Sequence, residues 1–301
     1  LIQLLELGFG RWISKGLGFI YGLYFLYIAG RVLKDFSIFV GEVLFDNIPF
    51  VVISFTLLLV VSYSCYVGIE AMARSTVILC AFTCVIILII MCFGFLSPYF
   101  EFRNLTPVFR ASWKQVLSSV FPTGLTVPYG ELIVFTMLFP YINNKKALLK
   151  YGWISVCITG MLLLLAGEMI LGLLNSETVN MYIFPFMKAL ELTSVLEFLP
   201  HLETFAVILN LIGGFVKISV FMYGGLMIMS NIFPKTKPNR RILIAATLTF
   251  LVTFILSKNI IQHLYIGLKI IPIIFHIPLQ FIIPCILVIC LFIKKYIIKS
   301  I

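Results

Sequence analysis

Charge is what this chain has least of. Asp, Glu, Lys and Arg make up 11% of its 301 residues, against 61% hydrophobic residues and a mean hydropathy of +1.13. A soluble domain needs a charged surface, so this composition excludes one and points to a polytopic α-helical membrane protein. Alternating apolar and polar residues are missing too, which excludes a membrane β-barrel. Histidine is scarce, and His201, His263 and His276 are scattered. No His-x-x-x-His, Gly-x-Ser-x-Gly, phosphate-loop or paired-carboxylate pattern is present, so the chain reads as no enzyme. A membrane-embedded transferase would need clustered acids or His near a membrane face, and the sequence has none. Seven cysteines lie inside apolar runs without a Cys-x-x-Cys pair. Cys80 and Cys84 share a helix face, but no His or acid completes a metal set. They read as small apolar fillers, and no metal or cofactor is expected.

The apolar runs predict eight spans, at ~20 residues for each bilayer crossing. They are Leu17–Phe39, Pro49–Val67, Thr76–Leu96, Val120–Tyr141, Leu148–Leu174, Phe205–Ile232, Ile242–Leu256 and Ile270–Ile293. Together they make 1–301 a single transmembrane domain. The connections Ser97–Ser119 and Asn175–Thr204 are long enough for short interfacial helices. Asn104-Leu105-Thr106 in the first of them matches a glycosylation sequon. The chain opens on Leu with an amphipathic piece, Leu1–Ser14, and no cleavable leader, so it reads as a fragment lacking its N-terminus.

Basic residues set the orientation. Arg11, Lys15, Arg74, Lys145, Lys146, Lys150, Lys235, Lys237, Arg240, Arg241, Lys294, Lys295 and Lys299 share one side of the membrane. The other side carries Arg103, Arg110, Lys114, Lys188, Lys258 and Lys269, balanced by acids that include Asp46 and Glu197. The richer side is cytoplasmic by the positive-inside rule, and both ends of the visible chain lie there. The net charge of +10 is thus a topology signal with some attraction to anionic lipid, and it does not imply nucleic-acid binding.

The fourth span is interrupted. Phe121-Pro122-Thr123-Gly124-Leu125-Thr126-Val127-Pro128-Tyr129-Gly130-Glu131 places Pro, Gly and a carboxylate in mid-membrane. Pro and Gly disfavour helix interiors and a charge there is costly, so such a segment must line a cavity or a binding site. The helix is expected to unwind at Pro128–Gly130. The half-helix after the break would aim free N–H groups at an anionic ligand group. Thr123, Gly124, Pro128, Tyr129, Gly130 and Glu131 are therefore candidate ligand-binding residues. Glu131 has no basic residue one turn away. It could bind a substrate amine, carry a proton, pair with a distant cation, or merely cap a kinked helix.

A lysine in mid-span, Lys217, needs a counter-charge or a wet cavity; Glu131 and Glu168 are its candidate partners, and a Glu131–Lys217 pair is the preferred one. Asn210, Gly214 and Lys217 fall on one helix face and join the candidate set, with Tyr24 from the stripe Tyr21, Tyr24, Tyr27. Arg31 and Asp35 can pair at i,i+4 as a structural or gating pair, with Lys34 snorkelling beside them. Glu168 either bonds a neighbouring helix or is protonated, and is a further gating candidate.

Two segments carry a family resemblance. Val127-Pro128-Tyr129-Gly130-Glu131 with Phe135-Thr136-Met137-Leu138-Phe139-Pro140-Tyr141 resembles a signature of the B subunit of bacterial spore germinant receptors. Glu203 with Phe215, Lys217, Ser219 and Tyr223 resembles the family's second signature. The start of the first span, Ser14-Lys15-Gly16-Leu17 through Leu23-Tyr24-Phe25-Leu26, is also similar. The chain departs from the family at Asn210, where Trp is common, and at His201, where a basic residue is common.

The resemblance implies an all-α, LeuT-type inverted-repeat fold of the amino acid/polyamine/organocation (APC) transporter superfamily. The eight spans would be helices three to ten of ten, with the first two absent. It implies a sensor in the inner membrane of the spore that binds a small germinant, such as an amino acid, in a transporter-like pocket. An A subunit and a lipoprotein C subunit would be its partners. The alternative reading is a proton-coupled amino acid permease of the same superfamily.

Overall fold

The computed structural model describes residues 1–44, 48–106, 112–193, 202–255, 257 and 259–299. Asp46, Arg110, Glu197, His201, Leu256 and Lys258, which the sequence reading used, lie outside the described residues. Eleven α-helices are described: α1 (Ile2–Phe9), α2 (Arg11–Leu44), α3 (Phe50–Val67), α4 (Ile69–Leu96), α5 (Trp113–Ser119), α6 (Lys145–Val179), α7 (Pro185–Thr193), α8 (Leu202–Ile232), α9 (Pro238–Ile255), α10 (Ile260–Tyr265) and α11 (Ile283–Lys299). Wide π-type turns cover Val120–Tyr129, Ile266–Ile270 and Pro272–Ile282, and 3-10 turns cover Gly130–Met137 and Phe139–Tyr141. No strand occurs among the described residues.

Among the described residues, seven helices are long and apolar enough to cross a membrane: α2, α3, α4, α6, α8, α9 and the run Pro272–Lys295. The chain is an all-α integral membrane protein. The fourth predicted span, Val120–Tyr141, is not among the seven because its backbone is broken.

The chain divides into two compact units. One comprises Leu1–Met72, Trp113–Ile142 and Gly214–Ile301; the other comprises Ala73–Ser112 and Asn143–Gly213. In the first, α2 is the hub. Its apolar window is 61% enclosed, against 39% or less in the other spans, with Tyr21, Phe25, Ile28 and Leu33 fully buried. At 34 residues and 1.5 Å per residue it is about 51 Å long, well beyond the bilayer core. A side chain at Gly30 would overlap Val252 and the Thr249 carbonyl, so its absence lets α2 and α9 touch backbone to backbone. Gly10, at φ 83°, turns the chain from α1 into α2, and Ser14 Oγ donates to the Ile2 carbonyl (3.1 Å) to fix the corner.

In the second unit, α4 and α6 meet where Gly94 leaves room for Met169. The predicted end of a span at Leu174 coincides with a kink inside α6 at Asn175, φ 61°. The Asn175 side chain accepts from the N–H groups of Glu177 (3.1 Å) and Thr178 (3.0 Å), capping the turn that follows. The two long connections hold the short helices Phe102–Leu105, α5 and α7. On α7 the exposed Lys188 donates to Glu191 (2.7 Å), and that hydrogen bond pushes the ammonium pKa up.

Candidate ligand-binding site

The broken span breaks twice, and each break lies one residue before a proline. Phe121 (φ −108°, ψ 132°) precedes Pro122, and Val127 (φ −126°, ψ 116°) precedes Pro128; both are extended. A proline ring crowds the residue before it out of helical geometry, so these two residues unwind. Tyr129 and Gly130 keep helical torsions (φ −71°, ψ −40° and φ −65°, ψ −25°). The opening therefore lies ahead of Pro128–Gly130, not on it. Threonines satisfy the loosened backbone: Thr126 Oγ1 donates to the Thr123 carbonyl (3.1 Å), and Thr123 Oγ1 to the Leu268 carbonyl (2.8 Å).

Glu131 stands in the first turn after the second break, where the positive helix end favours a carboxylate. Its Oε2 lies 2.6 Å from Lys217 Nζ on α8. Of the roles open to Glu131, pairing with a distant cation is the one the geometry shows. The Glu131 side chain is 11% exposed and that of Lys217 35%, so the pair opens toward the lysine.

Next to Glu131, Gly130 packs against Gln280. A β-carbon at Gly130 would fall 2.0 Å from Gln280 Oε1. Gln280 Nε2 donates to the Tyr24 hydroxyl (2.7 Å), which also hydrogen-bonds His276 Nδ1 (2.7 Å). Tyr24, His276 and Gln280 are all buried. Gln280 Oε1 is buried with no hydrogen-bond partner among the described residues. Such atoms are rare in folded proteins, since each costs free energy. Tyr24→Phe would strip Gln280 and His276 of their shared partner. We expect a loss of about 1–3 kcal/mol, read as a lower thermal midpoint in detergent.

A second polar cluster sits seven residues further along α2, about 10 Å at 1.5 Å per residue. Arg31 and Asp35 meet through His263 instead of directly. His263 Nε2 lies 2.7 Å from Asp35 Oδ1, and Arg31 donates to the His263 carbonyl (3.1 Å). Lys34 does not snorkel. It is 6% exposed and donates to the Ser257 carbonyl (2.6 Å), beyond the C-terminus of α9, where carbonyls lacking helical partners attract a cation.

The structure brings Gly130, Glu131, Tyr24 and Lys217 into one region of the first unit. Gly214 lies on the same face of α8 as Lys217 but packs against the Phe36 ring. Thr123 and Gly124 belong to the gap itself, Pro128 is exposed and Tyr129 half-buried. Asn210 and Glu168 fall in the second unit. Asn210 donates to the Ala206 carbonyl of its own helix (3.2 Å), and Glu168 is half-buried with no partner among the described residues. His263, His276 and Gln280 escaped the sequence reading. The signal was present: His276 and Gln280 are four residues apart in a run carrying Pro272, Pro278 and Pro284. Missing proline N–H groups favour π-type turns there, which often mark functional sites.

Membrane-length helices, a proline-broken span and an internal carboxylate–ammonium pair define an integral membrane protein with a polar site inside its span. The chain matches the family described as "Spore germination protein" over residues 1–263. It is 30% identical over 290 residues to Spore germination protein KB of Bacillus subtilis (strain 168), covering 95% of this chain and 77% of that protein. Spore germination protein A2 of the same organism is 24% identical, over 74% of this chain and 60% of its own length. Spore germination protein YndE is 23% identical, over 75% and 61%. No solved structure matches. The chain belongs to the spore germination protein family, the one its two motifs resemble. Its role is of the germination receptor or permease kind, and the family is not a class of enzymes.

Proposed function

We propose that this chain is the B subunit of a spore germinant receptor and that the Glu131–Lys217 region binds a small germinant, an amino acid. The observation that carries this reading is the internal ion pair beside a broken backbone. An amino acid presents an ammonium and a carboxylate together. Its ammonium can take Glu131 and its carboxylate Lys217, so ligand binding replaces one internal pair with two, at no change in net charge. The buried Gln280 Oε1 supplies a further acceptor next to Gly130.

Opening the pair frees the broken span from α8. A ligand that prefers the open state shifts the equilibrium toward it. The A subunit and the lipoprotein C subunit would read that shift in the spore inner membrane, with the C-terminus of this chain on the cytoplasmic side. The inverted-repeat transporter fold is the framework in which such a site would sit.

Vesicles carrying the purified chain test the reading. Labelled amino acids should bind without accumulating inside, and Glu131→Gln should weaken binding about tenfold or more, the loss of one charge-assisted contact. Uptake that depends on a proton gradient would instead show a permease, with Glu131 as the proton carrier.

A further inference from the structure

The tyrosines that close the two motifs, Tyr141 and Tyr223, take no part in the ion pair. They line a cavity of about 240 Å³ together with Ser230, Asn231 and Arg241. The cavity lies where α8 gives way to α9, through a turn that carries Lys235 and Lys237 and into a first turn of α9 that carries Arg240 and Arg241. Its polar wall offers a guanidinium, two phenols, a hydroxyl and an amide, all able to donate hydrogen bonds. No carboxylate lines it.

Ile242, in the wall of this cavity, also lines a second hollow of about 470 Å³ between α3 and α9. The second hollow is walled mainly by Phe55, Leu58, Leu59, Leu243, Phe250 and Leu251. Along α9 it runs from Asn239 to Leu251, about 18 Å at 1.5 Å per residue. Phe55, Leu59, Leu243 and Leu251 are about half exposed or more, which in a membrane-spanning protein places them against hydrocarbon.

A basic, donor-rich cavity at the loop end of α9 thus shares a wall with an apolar trough that leads into the span. We propose that the two hollows form one binding site for an anionic phospholipid. The phosphate sits in the cavity against Arg241, whose planar guanidinium suits bidentate phosphate contacts, and an acyl chain lies in the α3–α9 trough. Basic pockets between membrane helices favour such head groups, and Lys235, Lys237 and Arg240 strengthen the local attraction. The site touches both motifs at their ends, so a bound lipid stabilises the arrangement that also holds Glu131 against Lys217.

Native mass spectrometry of the chain in detergent tests this, with phosphatidylglycerol, phosphatidylcholine and inorganic phosphate as probes. Phosphatidylglycerol should stay bound where phosphatidylcholine is lost. Arg241→Gln should lower its occupancy about tenfold, with Arg241→Lys in between. Ala246→Phe, which fills the trough, should also weaken the lipid and leave Arg241 intact. Equal retention of the two lipids, or wild-type retention by Arg241→Gln, would overturn the proposal. So would inorganic phosphate that binds as well as the lipid and ignores Ala246→Phe, because the cavity would then be a free-phosphate site. If Arg241→Gln does not fold, Ala246→Phe decides alone: undiminished binding of phosphatidylglycerol rejects the site.

Discussion

Glu131→Ala and Lys217→Ala should each destabilise the protein by about 2–3 kcal/mol, and the double variant should be no less stable than either. Removing one partner of a fully buried ion pair costs ~3–5 kcal/mol, because the other charge stays behind without compensation. Lys217 is 35% exposed, so its ammonium recovers part of that loss by turning outward. Glu131 has less room to move. Its side chain is 11% exposed, in the first turn after the break, so Lys217→Ala should be the more severe of the two. Removing both charges takes away the attraction and the stranded charge together, which is why the effects should not add. Thermal unfolding of the four proteins in one detergent measures the coupling. Additive losses would mean that the 2.6 Å contact contributes nothing of its own.

Gly130→Ala should cost about 1–3 kcal/mol and impair germinant response at the same time. The new methyl group would stand 2.0 Å from Gln280 Oε1 and 3.0 Å from Phe281 Cε2. A contact under 3 Å forces something to move, and the Gln280 amide is the softer neighbour. Its movement breaks the bond to the Tyr24 hydroxyl and, through it, disturbs His276. Gln280→Ala in the same chain removes the obstacle, so the double variant should regain stability relative to Gly130→Ala. It should not regain response, because the acceptor beside Glu131 is gone. Recovery of stability without response would separate the packing role of Gly130 from the binding role of Gln280.

Much of this arrangement can be read from the residues in order. Length and hydropathy place the continuous spans because a bilayer demands ~20 apolar residues and tolerates few charges. The broken span was legible from Pro122, Pro128 and Glu131, since each violates that demand. Lys217 was legible as a partner for the same reason. The exact places of unwinding were harder. Pro128 and Gly130 attract attention as helix breakers, yet proline acts on the residue before it, and Phe121 and Val127 are the ones that extend.

Contacts between distant helices were the least legible. Arg31 and Asp35 satisfy the local pairing rule on paper, but a residue 228 positions later, His263, takes the carboxylate. Tyr24 meets Gln280 across 256 positions. The i,i+4 spacing of His276 and Gln280 among the prolines marks that run, but nothing in it points across to Tyr24. A lysine beside a helix terminus also reads as a snorkelling residue until the Ser257 carbonyl is seen to receive it.

The most direct measurement is germination of spores in which Glu131→Gln replaces the native chain, scored against a panel of amino acids with the protein's level checked by immunoblot. Gln keeps the size of Glu and removes its charge, so the ion pair is lost with little change in packing. No germination response at a normal protein level is the result expected if the Glu131–Lys217 pair is the germinant switch. A wild-type response at that level would contradict it.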